Sequence, residues 1–467
     1  MRRTKIICTI GPKTSSYETI EKMAEMGMDI ARLNFSHGTR ESHAKVIKAI
    51  KTINSKGVYS IAIMLDTKGP EVRTGDLATD ISIRVGDEFT FLVGREPSLG
   101  KNETVISDDG FIKEIEKDDV ILIDAGILAF KVKRKTKTDI LTECIDGGKL
   151  RSRRHVNIRG KTSKLPSITK EDWKDIDFGI SEGVDFIALS FVKNAEAVMK
   201  LRSYLDKKKA PIDIIAKIES AQAVDHIEEI IKVSDGVMVA RGDLGAEMPL
   251  EEVPILQEEM VERARALGKP VIVATHLLES MIENPTPTRA EVADIASIVE
   301  QGVDCVMLSG ETATGNFPLK AISVLDRVAR RIEKKQLENK QISLLESNDH
   351  RIELVRSACI MANNLDVNAI LVFTRRGTMA TFVSRCRPHS PIFAFTNMTS
   401  VRRRLNLYWG VTTYRIEFSE NPEKTIQRAM DVLKRRKLIK KNDRVIVVSD
   451  ILAGKEHVET VQIRKIG

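Results

Sequence analysis

Residues 212–245 read IDIIAKIESAQAVDHIEEIIKVSDGVMVARGDLG, and this stretch decides the fold. It contains two short apolar runs, Ile212–Ile218 and Gly236–Ala240, and polar residues follow at the end of each run. Runs that are continuously apolar, rather than alternating with polar residues, are typical of parallel strands buried on both faces. The stretch therefore predicts two strands of a buried parallel sheet.

Six further runs of the same kind occur along the chain. They are Ile6–Ile10, Ile30–Phe35, Ile61–Asp66, Phe186–Phe191, Val271–Ala274 and Cys305–Leu308. Amphipathic segments follow most of the runs, such as Tyr17–Met26, Ser42–Asn54, Asn194–Leu205 and Pro254–Leu267. Eight such strands alternating with helices predict the α/β class and a (β/α)8 TIM barrel, formed by residues 1–73 and 163–332.

Residues 74–162, between the third and fourth runs, have a different pattern of apolar and polar residues. Short and partly alternating runs are separated by turn signals such as Asp146-Gly147-Gly148. The runs are Ile81–Val85, Glu88–Val93, Val120–Ile123, Ala129–Lys133 and Ile140–Cys144. This segment predicts an inserted β-barrel or sandwich domain that lies as a lid over the carboxyl ends of the barrel strands.

The last part of the chain returns to alternating strands and helices. Residues 333–351 are polar and predict a linker. Beyond it, residues 352–467 predict a doubly wound α/β domain. Its strands are Ala369–Thr374, Ile392–Thr396, Thr412–Phe418, Arg444–Ser449 and Thr460–Lys465.

Composition excludes several classes of protein. Hydrophobic residues make up 42% and charged residues 30% of the 467 residues, which excludes intrinsic disorder. No apolar run approaches the roughly 20 residues of a membrane helix. Five scattered cysteines without a C-x-x-C pair predict neither a disulfide scaffold nor a zinc cluster. The net charge of +8 is accompanied by only 4% aromatic residues, so we expect an anionic small substrate rather than a nucleic acid.

Polar residues stand at the ends of six of the eight runs. Because the carboxyl ends of barrel strands converge on one face, these residues predict an active site there. They are Arg32, Asn34, Ser36 and His37; Asp66, Thr67 and Lys68; Lys217 and Glu219; Arg241, Gly242 and Asp243; Thr275 and His276; and Ser309 and Glu311.

Two groups of these residues suit different cations. Lys217, Glu219 and Asp243 suit a Mg²⁺–phosphate site, because Mg²⁺ takes one or two carboxylates and substrate oxygens; a Lys217–Glu219 ion pair is compatible with that role. A second group supplies only oxygen ligands and one charge, which suits a monovalent cation or, equally, a hydrogen-bond network. It consists of Asn34, Ser36, Asp66 and Thr67.

Motifs along nearly the whole chain resemble those of pyruvate kinase. They are KIICTIGP, ARLNFSHG, LDTKGPEVRTG, IIAKIES, VARGDLG, ATHLLESM, NPTPTRAEVAD and MLSGETATG. FTRRGTMA, RPHSPIFAFTN, RRRLNLYWGV and RGKTSKLPSIT are most similar to the plastid-type branch. The resemblance implies transfer of the phosphoryl group of phosphoenolpyruvate to ADP, giving pyruvate and ATP, with Mg²⁺ or Mn²⁺ and K⁺ as cofactors.

The resemblance also implies a role for each site residue. Lys217 and Arg32 would hold the transferring phosphoryl group, and Glu219 and Asp243 would bind Mg²⁺. The substrate would also contact Gly242, Asp243 and Thr275. Protonation of the enolate would involve Thr275, Ser309 and Glu311. The nucleotide contacts would be Asn34, His37, Arg73 and Arg154, and the K⁺ ligands Asn34, Ser36, Asp66 and Thr67.

Glu71 bears on the monovalent cation. Family members that need K⁺ carry glutamate at this position, and those that do not carry lysine. Glu71 therefore implies a requirement for K⁺.

The sequence departs from the family pattern at several positions. His276 replaces the usual Gln or Asn, and Arg153–Arg154 followed by His155 replaces two lysines and a glycine of the lid. In the C-terminal phosphate loop, Met379 stands where serine is common, and the C-terminal tail is short. We expect the loop to bind a sugar monophosphate or related anion rather than fructose 1,6-bisphosphate. Its candidate ligands are Thr374, Arg375, Arg376, Gly377 and Thr378.

An alternative enzyme class is a Mg²⁺-dependent C–C lyase of the phosphoenolpyruvate/pyruvate barrel superfamily, and a regulatory subunit is a non-enzymatic alternative. His37, Arg73 and the inserted domain favour the kinase, because a lyase has no nucleotide to bind. The resemblance implies a homotetramer with allosteric control. MRRTKIICTIGP resembles no signal peptide, so we expect a cytoplasmic protein, or a plastid stroma protein if a transit peptide has been removed.

Overall fold

The computed structural model describes residues 1–94, 102–108, 110–124, 126–161, 165–336, 349–453 and 456–467. Most of the predicted linker 333–351 and part of the RGKTSKLPSIT motif lie outside these residues, as do the side chains of 450–458.

Eight parallel strands form a closed barrel, which confirms the predicted fold class. Each strand pairs with its sequence neighbours, and β16 pairs with β1 to close the sheet. The strands are β1 (Lys5–Thr9), β2 (Ile30–Asn34), β3 (Ala62–Asp66), β12 (Phe186–Leu189), β13 (Asp213–Ile218), β14 (Gly236–Ala240), β15 (Val271–Ala274) and β16 (Cys305–Leu308).

Helices surround the barrel and pack their apolar faces on it. Several begin at a capping box, in which a Thr hydroxyl accepts from a backbone N–H three residues later, as Thr39 does before α2. The helices are α1 (Tyr17–Glu25), α2 (Arg40–Ser55), α4 (Lys170–Glu182), α5 (Ala195–Lys207), α6 (Ala221–Asp225), α7 (Ile227–Val233), α8 (Arg241–Glu247), α9 (Glu252–Ala266), α10 (Arg289–Glu300), α11 (Gly310–Ala313), α12 (Pro318–Gln336) and a 3₁₀ helix at Glu279–Ile282.

The inserted β domain is also present, as a curled half-barrel rather than a closed barrel. Six strands form a sheet in the order β11-β7-β8-β9-β5-β6, and β10 pairs with β4. Its core holds the aromatic rings of Phe89, Phe91 and Phe130. The elements are β4 (Ile81–Ile83), β5 (Glu88–Val93), β6 (Glu103–Ile106), α3 (Phe111–Glu114), β7 (Val120–Ile123), β8 (Leu128–Lys135), β9 (Asp139–Asp146), β10 (Gly148–Leu150) and β11 (Val156–Ile158).

The C-terminal domain is a five-stranded sheet in the order β19-β18-β17-β20-β21, with helices on both faces. The last strand is antiparallel to its neighbour, and the others are parallel. The elements are α13 (His350–Asn364), β17 (Ala369–Phe373), α14 (Thr378–Arg385), β18 (Ile392–Thr396), α15 (Thr399–Arg404), a 3₁₀ helix (Leu405–Leu407), β19 (Val411–Arg415), α16 (Pro422–Arg435), β20 (Arg444–Ala453) and β21 (Glu456–Lys465).

The C-terminal domain packs against the amino-terminal ends of the barrel strands. Arg403 forms an ion pair with Asp185, which precedes β12, and Arg404 pairs with Asp213 at the start of β13. Leu407 joins the apolar cluster inside the barrel. The carboxyl ends of the strands, where the predicted site lies, therefore face away from this domain. Among the described helices, none is long and apolar enough to cross a membrane.

Candidate active site

A single carboxylate organises the centre of the carboxyl face. Asp66 ends β3 and is fully buried. One of its oxygens accepts from Nε of Arg32 at 2.6 Å, and the other lies 3.1 Å from Nζ of Lys217. Although burial acts in the opposite direction, Arg32 and Lys217 hold the pKa of Asp66 below its usual range. Two cations that the sequence places on different strands are therefore brought side by side.

Lys217 is held in its charged form. Its Nζ lies 2.7 Å from Oε1 of Glu219 and donates to Oγ of Ser190 at 2.8 Å. Burial would lower the pKa of Lys217, but the carboxylates of Asp66 and Glu219 outweigh it and raise that pKa. The sequence predicts two compatible roles for Lys217, an ion pair with Glu219 and a phosphoryl ligand. The structure contains the ion pair within the predicted site.

Glu219 and Asp243 form a pair of carboxyl groups, of which Glu219 is buried and Asp243 is half-buried. Burial and the nearby Asp243 raise the pKa of Glu219 to about 7, and burial together with Glu71 raises the pKa of Asp243. Two carboxyls so close together do not both ionise readily without a further cation. A divalent cation held by these two carboxylates and by substrate oxygens would supply that charge, so the residues fit Mg²⁺.

The predicted oxygen cluster is assembled only in part. Asn34 and Asp66 are paired across β2 and β3, so their side chains start from adjacent positions. Oδ1 of Asn34 accepts from the backbone N–H of Ser36 at 3.1 Å, and the carbonyl oxygen of Thr67 accepts from Ser190 at 2.6 Å. Internal hydrogen bonds already engage two of these oxygen atoms. The K⁺ site at these four residues stays a prediction.

Glu71 and Arg73 neutralise each other. The Arg73 guanidinium donates to both oxygens of Glu71, from Nε and Nη2, at 2.8 Å each. Arg73 also donates to the carbonyl of Arg153, which ties the base of the inserted domain to this pair. The predicted nucleotide ligand Arg73 is therefore engaged with Glu71 in this structure.

The turn after β15 has an unusual backbone. Thr275 and His276 have φ angles of +70° and +53°, a left-handed conformation that is costly for a β-branched residue. Oγ1 of Thr275 accepts from the backbone N–H of Gly242 at 2.8 Å, and Arg241 donates to the carbonyl of Thr275 at 2.9 Å. Strain of this kind is found at functional sites, where the surrounding contacts hold it.

Ser309 and Glu311 differ in the hydrogen bonds that their side chains form. Glu311 is buried and accepts from the backbone N–H groups of Leu278 and Ser309, at 3.0 and 2.7 Å. It therefore holds the loops after β15 and β16 in place. The Oγ of Ser309 is buried and has no partner within the described part of the chain. This orphaned hydroxyl is free to bind a water molecule or a substrate atom.

The remaining predicted nucleotide ligands lie at the rim. His37 is exposed, and partial burial and the Arg73 cation lower the pKa of its ring. Nη1 of Arg154 is 3.5 Å from Asp124, and its Nε is buried without a partner among the described residues. His155 is less exposed; burial lowers its pKa, and its ring lies 5.8 Å from that of Phe191.

Sequence reasoning missed two residues of the central network. Ser190 follows β12 and donates to Asp66 at 3.2 Å as well as contacting Lys217. Thr9 ends β1 and accepts from Nη1 of Arg32 at 2.9 Å. Both stand at the end of a predicted strand, so the criterion applied to the other six strands could have found them.

The C-terminal loop is separate from this site. Oγ1 of Thr374 accepts from the N–H of Gly377 at 2.9 Å, and Gly377 has a φ of +99°, which glycine adopts most readily. Arg375 and Arg376 are exposed beside it. Met379 is buried in the core of the domain, so it supplies no polar group to the loop.

The carboxyl face thus presents two fixed cations beside a pair of carboxyl groups. These features are typical of a (β/α)8-barrel enzyme that binds an anionic substrate together with a divalent cation. The family model described as pyruvate kinase, barrel domain, matches residues 1–322, and that described as pyruvate kinase, alpha/beta domain, matches residues 353–464. The chain belongs to the pyruvate kinase family, which transfers the phosphoryl group of phosphoenolpyruvate to ADP in the last step of glycolysis.

Relatives that align with all or nearly all of this chain are also pyruvate kinases. Plastidial pyruvate kinase 2 of Arabidopsis thaliana is 47% identical over 471 residues, covering 100% of this chain and 81% of that protein. Pyruvate kinase of Bacillus licheniformis is 42% identical, covering 92% of this chain and 75% of that protein. A crystal structure of a pyruvate kinase from Cryptosporidium parvum has a TM-score of 0.90 at 34% identity, covering 100% of this chain and 96% of the other. The lyase alternative is therefore not retained.

Proposed function

We propose that Arg32 and Lys217 hold the phosphoryl group of phosphoenolpyruvate during its transfer to ADP. The observation that carries this proposal is the Asp66 carboxylate, which fixes both cations within 3.1 Å of its oxygens. Phosphoryl transfer depends mainly on positioning and on neutralising the charge of the transferring group. Two cations fixed before the substrate arrives meet both requirements without rearrangement at the moment of reaction.

Glu219 and Asp243 are the proposed ligands of Mg²⁺ or Mn²⁺. When bound, the divalent cation neutralises charge on the substrate oxygens and orients them. In this chain, Lys217 and the N–H of Phe191 orient Glu219, both at 2.7 Å from its oxygens. Asn34, Ser36, Asp66 and Thr67 are the proposed K⁺ ligands, since all four supply the oxygen atoms that such an ion prefers.

The strained turn after β15 is proposed to hold the other end of the substrate. Gly242 and Thr275 are positioned together by their hydrogen bond, beside Asp243 of the carboxyl pair. The enolate left after phosphoryl transfer needs a proton from an acid or an ordered water. The unpartnered hydroxyl of Ser309, held in place through Glu311, can bind such a water near Thr275.

His37, Arg73 and Arg154 are the proposed nucleotide contacts at the rim, with Asn34. The inserted domain would exclude water from the phosphoryl group, because an open site would allow hydrolysis in place of transfer. Arg73 must leave Glu71, or share it, to reach a nucleotide. A monovalent cation near Glu71 would favour that exchange.

A coupled assay with phosphoenolpyruvate and ADP tests these cation roles. We expect turnover to require Mg²⁺ or Mn²⁺ and to fall by about 100-fold or more in Glu219→Gln. Direct Mg²⁺ titration of the same variant should show weakened binding. The control variant Glu247→Gln changes a nearby, half-buried carboxyl outside the pair and should bind Mg²⁺ as the wild type does. Normal Mg²⁺ binding by Glu219→Gln would contradict the assignment.

The loop Thr374–Thr378 is the proposed site of a sugar monophosphate or related anion. Arg375 and Arg376 are exposed, and arginine binds phosphate through paired hydrogen bonds. Binding of glucose 6-phosphate that persists in Arg375→Ala would contradict this site.

A homotetramer, a cytoplasmic location and the alternative location in the plastid stroma stay predictions.

A further inference from the structure

A large cleft lies between the barrel and the edge of the C-terminal sheet. Its volume is about 1050 Å³. The end of α2 forms one wall, and β19 with the ends of α15 and α16 forms the other. Because α2 runs away from the carboxyl face, the cleft is remote from the active site. The Thr374–Thr378 loop is not part of its lining.

The lining of this cleft is strongly cationic. One acidic residue, Glu417, lies among six basic ones. The basic residues are Lys51, Arg402, Arg403, Arg415, Arg435 and Arg436. Such an excess of one charge in a concave surface concentrates anions there.

Three of the six cations already have carboxylate partners. Lys51 pairs with Glu182 at 2.9 Å, Arg403 with Asp185 at 2.9 Å and Arg415 with Glu417 at 3.2 Å. The other three have no carboxylate within 4.0 Å in the part of the chain that the structure describes. These three are Arg402, Arg435 and Arg436.

Arg402 shows the effect of the missing counter-charge. Its Nε is buried and has no hydrogen-bond partner among the described residues. Burial and the neighbouring cations Arg436 and Arg415 lower the pKa of the Arg402 guanidinium. Arg436 stacks on Tyr414 with its guanidinium carbon 5.2 Å from the ring centre, so its position is supported as well. Arg402 and Arg435 also donate to backbone carbonyls, those of Tyr59 and Asp431, both at 3.4 Å. What these guanidinium groups lack is a carboxylate that would compensate their charge.

We propose that this cleft binds a small organic phosphate that carries at least two phosphoryl groups. Guanidinium groups donate paired hydrogen bonds to phosphate oxygens. Three guanidinium groups without a carboxylate partner carry more positive charge than the two negative charges of one phosphoryl group balance, so a second phosphoryl group is needed to compensate them. The volume is sufficient for a ligand of the size of a sugar bisphosphate. Since the walls come from both domains, the ligand would bridge the barrel and the C-terminal domain.

Isothermal titration calorimetry with fructose 1,6-bisphosphate as the probe tests the proposal, with inorganic phosphate as the single-phosphoryl comparison. We expect the wild type to bind the bisphosphate with a Kd below about 1 mM, and inorganic phosphate about tenfold more weakly or not at all. The double variant Arg435→Gln/Arg436→Gln removes two exposed cations of the cleft. It should weaken bisphosphate binding by about tenfold or more.

The double variant Arg375→Gln/Arg376→Gln is the matched control, because it removes two adjacent exposed arginines from the same domain outside the cleft. It should bind the bisphosphate as the wild type does. Three results would overturn the proposal: no binding by the wild type, equal affinity for inorganic phosphate, or loss of binding in the control with retention in Arg435→Gln/Arg436→Gln. Circular dichroism of both variants verifies their fold.

Discussion

At the scale of single residues, Asp66 determines where charge is placed. Its two oxygens fix Arg32 and Lys217, and Ser190 connects the same carboxylate to the carbonyl of Thr67. A buried carboxylate between two cations keeps their side chains in one place at little net charge. The substrate's phosphoryl group would then meet cations that are already positioned.

The prediction that activity requires K⁺ rests on Glu71. We expect low activity in Na⁺ or tetramethylammonium buffers and restoration by millimolar K⁺, because K⁺ can release Arg73 from Glu71 and complete the oxygen cluster. The variant Glu71→Lys should reduce the K⁺ stimulation by about tenfold, since its ammonium supplies the charge itself. Steady-state rates in paired K⁺ and K⁺-free buffers measure this.

Glu88→Lys is the control for that experiment, as it makes the same charge change on an exposed residue of the inserted domain. It should keep the K⁺ dependence of the wild type. Equal turnover of the wild type with and without K⁺ would show that these oxygens form a structural network only.

The sequence predicted some residues of this network and missed others. Lys217 and Glu219 were found because a polar pair at the end of an apolar strand is conspicuous. Ser190 and Thr9 are small and neutral, and only the assembled barrel shows that they contact Lys217 and Arg32. The pairing of Glu71 with Arg73 also depends on a turn that no sequence pattern specifies.

At the scale of elements, the turn from β15 into the following 3₁₀ helix positions the substrate side of the site. Its left-handed residues Thr275 and His276 are held by contacts with α8, where Gly242 donates to Thr275. A Cβ atom on Gly242 would lie 3.1 Å from Cε1 of His276 and 3.4 Å from Oγ1 of Thr275. The close approach of the two elements therefore leaves little room for a side chain at position 242.

Gly242→Ala should lower kcat by about tenfold to 100-fold, because a small displacement of positioning groups has effects of this size. Gly245→Ala is the matched control on the same helix, where the nearest atom would be Cδ2 of Leu250 at 3.4 Å, an ordinary contact. Its kcat should stay within about threefold of the wild type. Similar losses in both variants would indicate a general effect on α8 instead.

Strand prediction succeeded where the apolar pattern is long. The predicted run Gly236–Ala240 coincides with β14, and Ile212–Ile218 differs from β13 by one residue. The sequence missed the short strands β6, β10 and β11, since runs of three or four residues show little periodicity. The left-handed conformation of Thr275 was also beyond prediction, because threonine disfavours it.

At the scale of the whole molecule, arginines of the C-terminal domain reach carboxylates at the amino-terminal face of the barrel. Arg404 pairs with Asp213 at 2.8 Å, and Arg403 pairs with Asp185. Burial raises the pKa of Asp213 to about 6 despite Arg404. The desolvation of this carboxylate therefore exceeds its attraction to the arginine.

This shift predicts a dependence of stability on pH. The folded carboxyl has the higher pKa, so its stabilising contribution is complete below the unfolded value of 3.8 and is lost as pH rises through about 6. The loss amounts to about 3 kcal/mol at most. We expect the Tm of Asp213→Asn, relative to that of the wild type, to rise between pH 4 and pH 7. Parallel Tm profiles of the two proteins would contradict the shift.

The most direct test of the account is the turnover of Lys217→Met with phosphoenolpyruvate, ADP, Mg²⁺ and K⁺, measured beside the wild type. Loss of the cation that Asp66 and Glu219 hold should lower kcat by at least about 100-fold, because the charge of the transferring phosphoryl group is no longer matched. Circular dichroism and Mg²⁺ titration should show a folded protein that still binds the metal. A kcat within about tenfold of the wild type would contradict the assignment of Lys217 to the phosphoryl group.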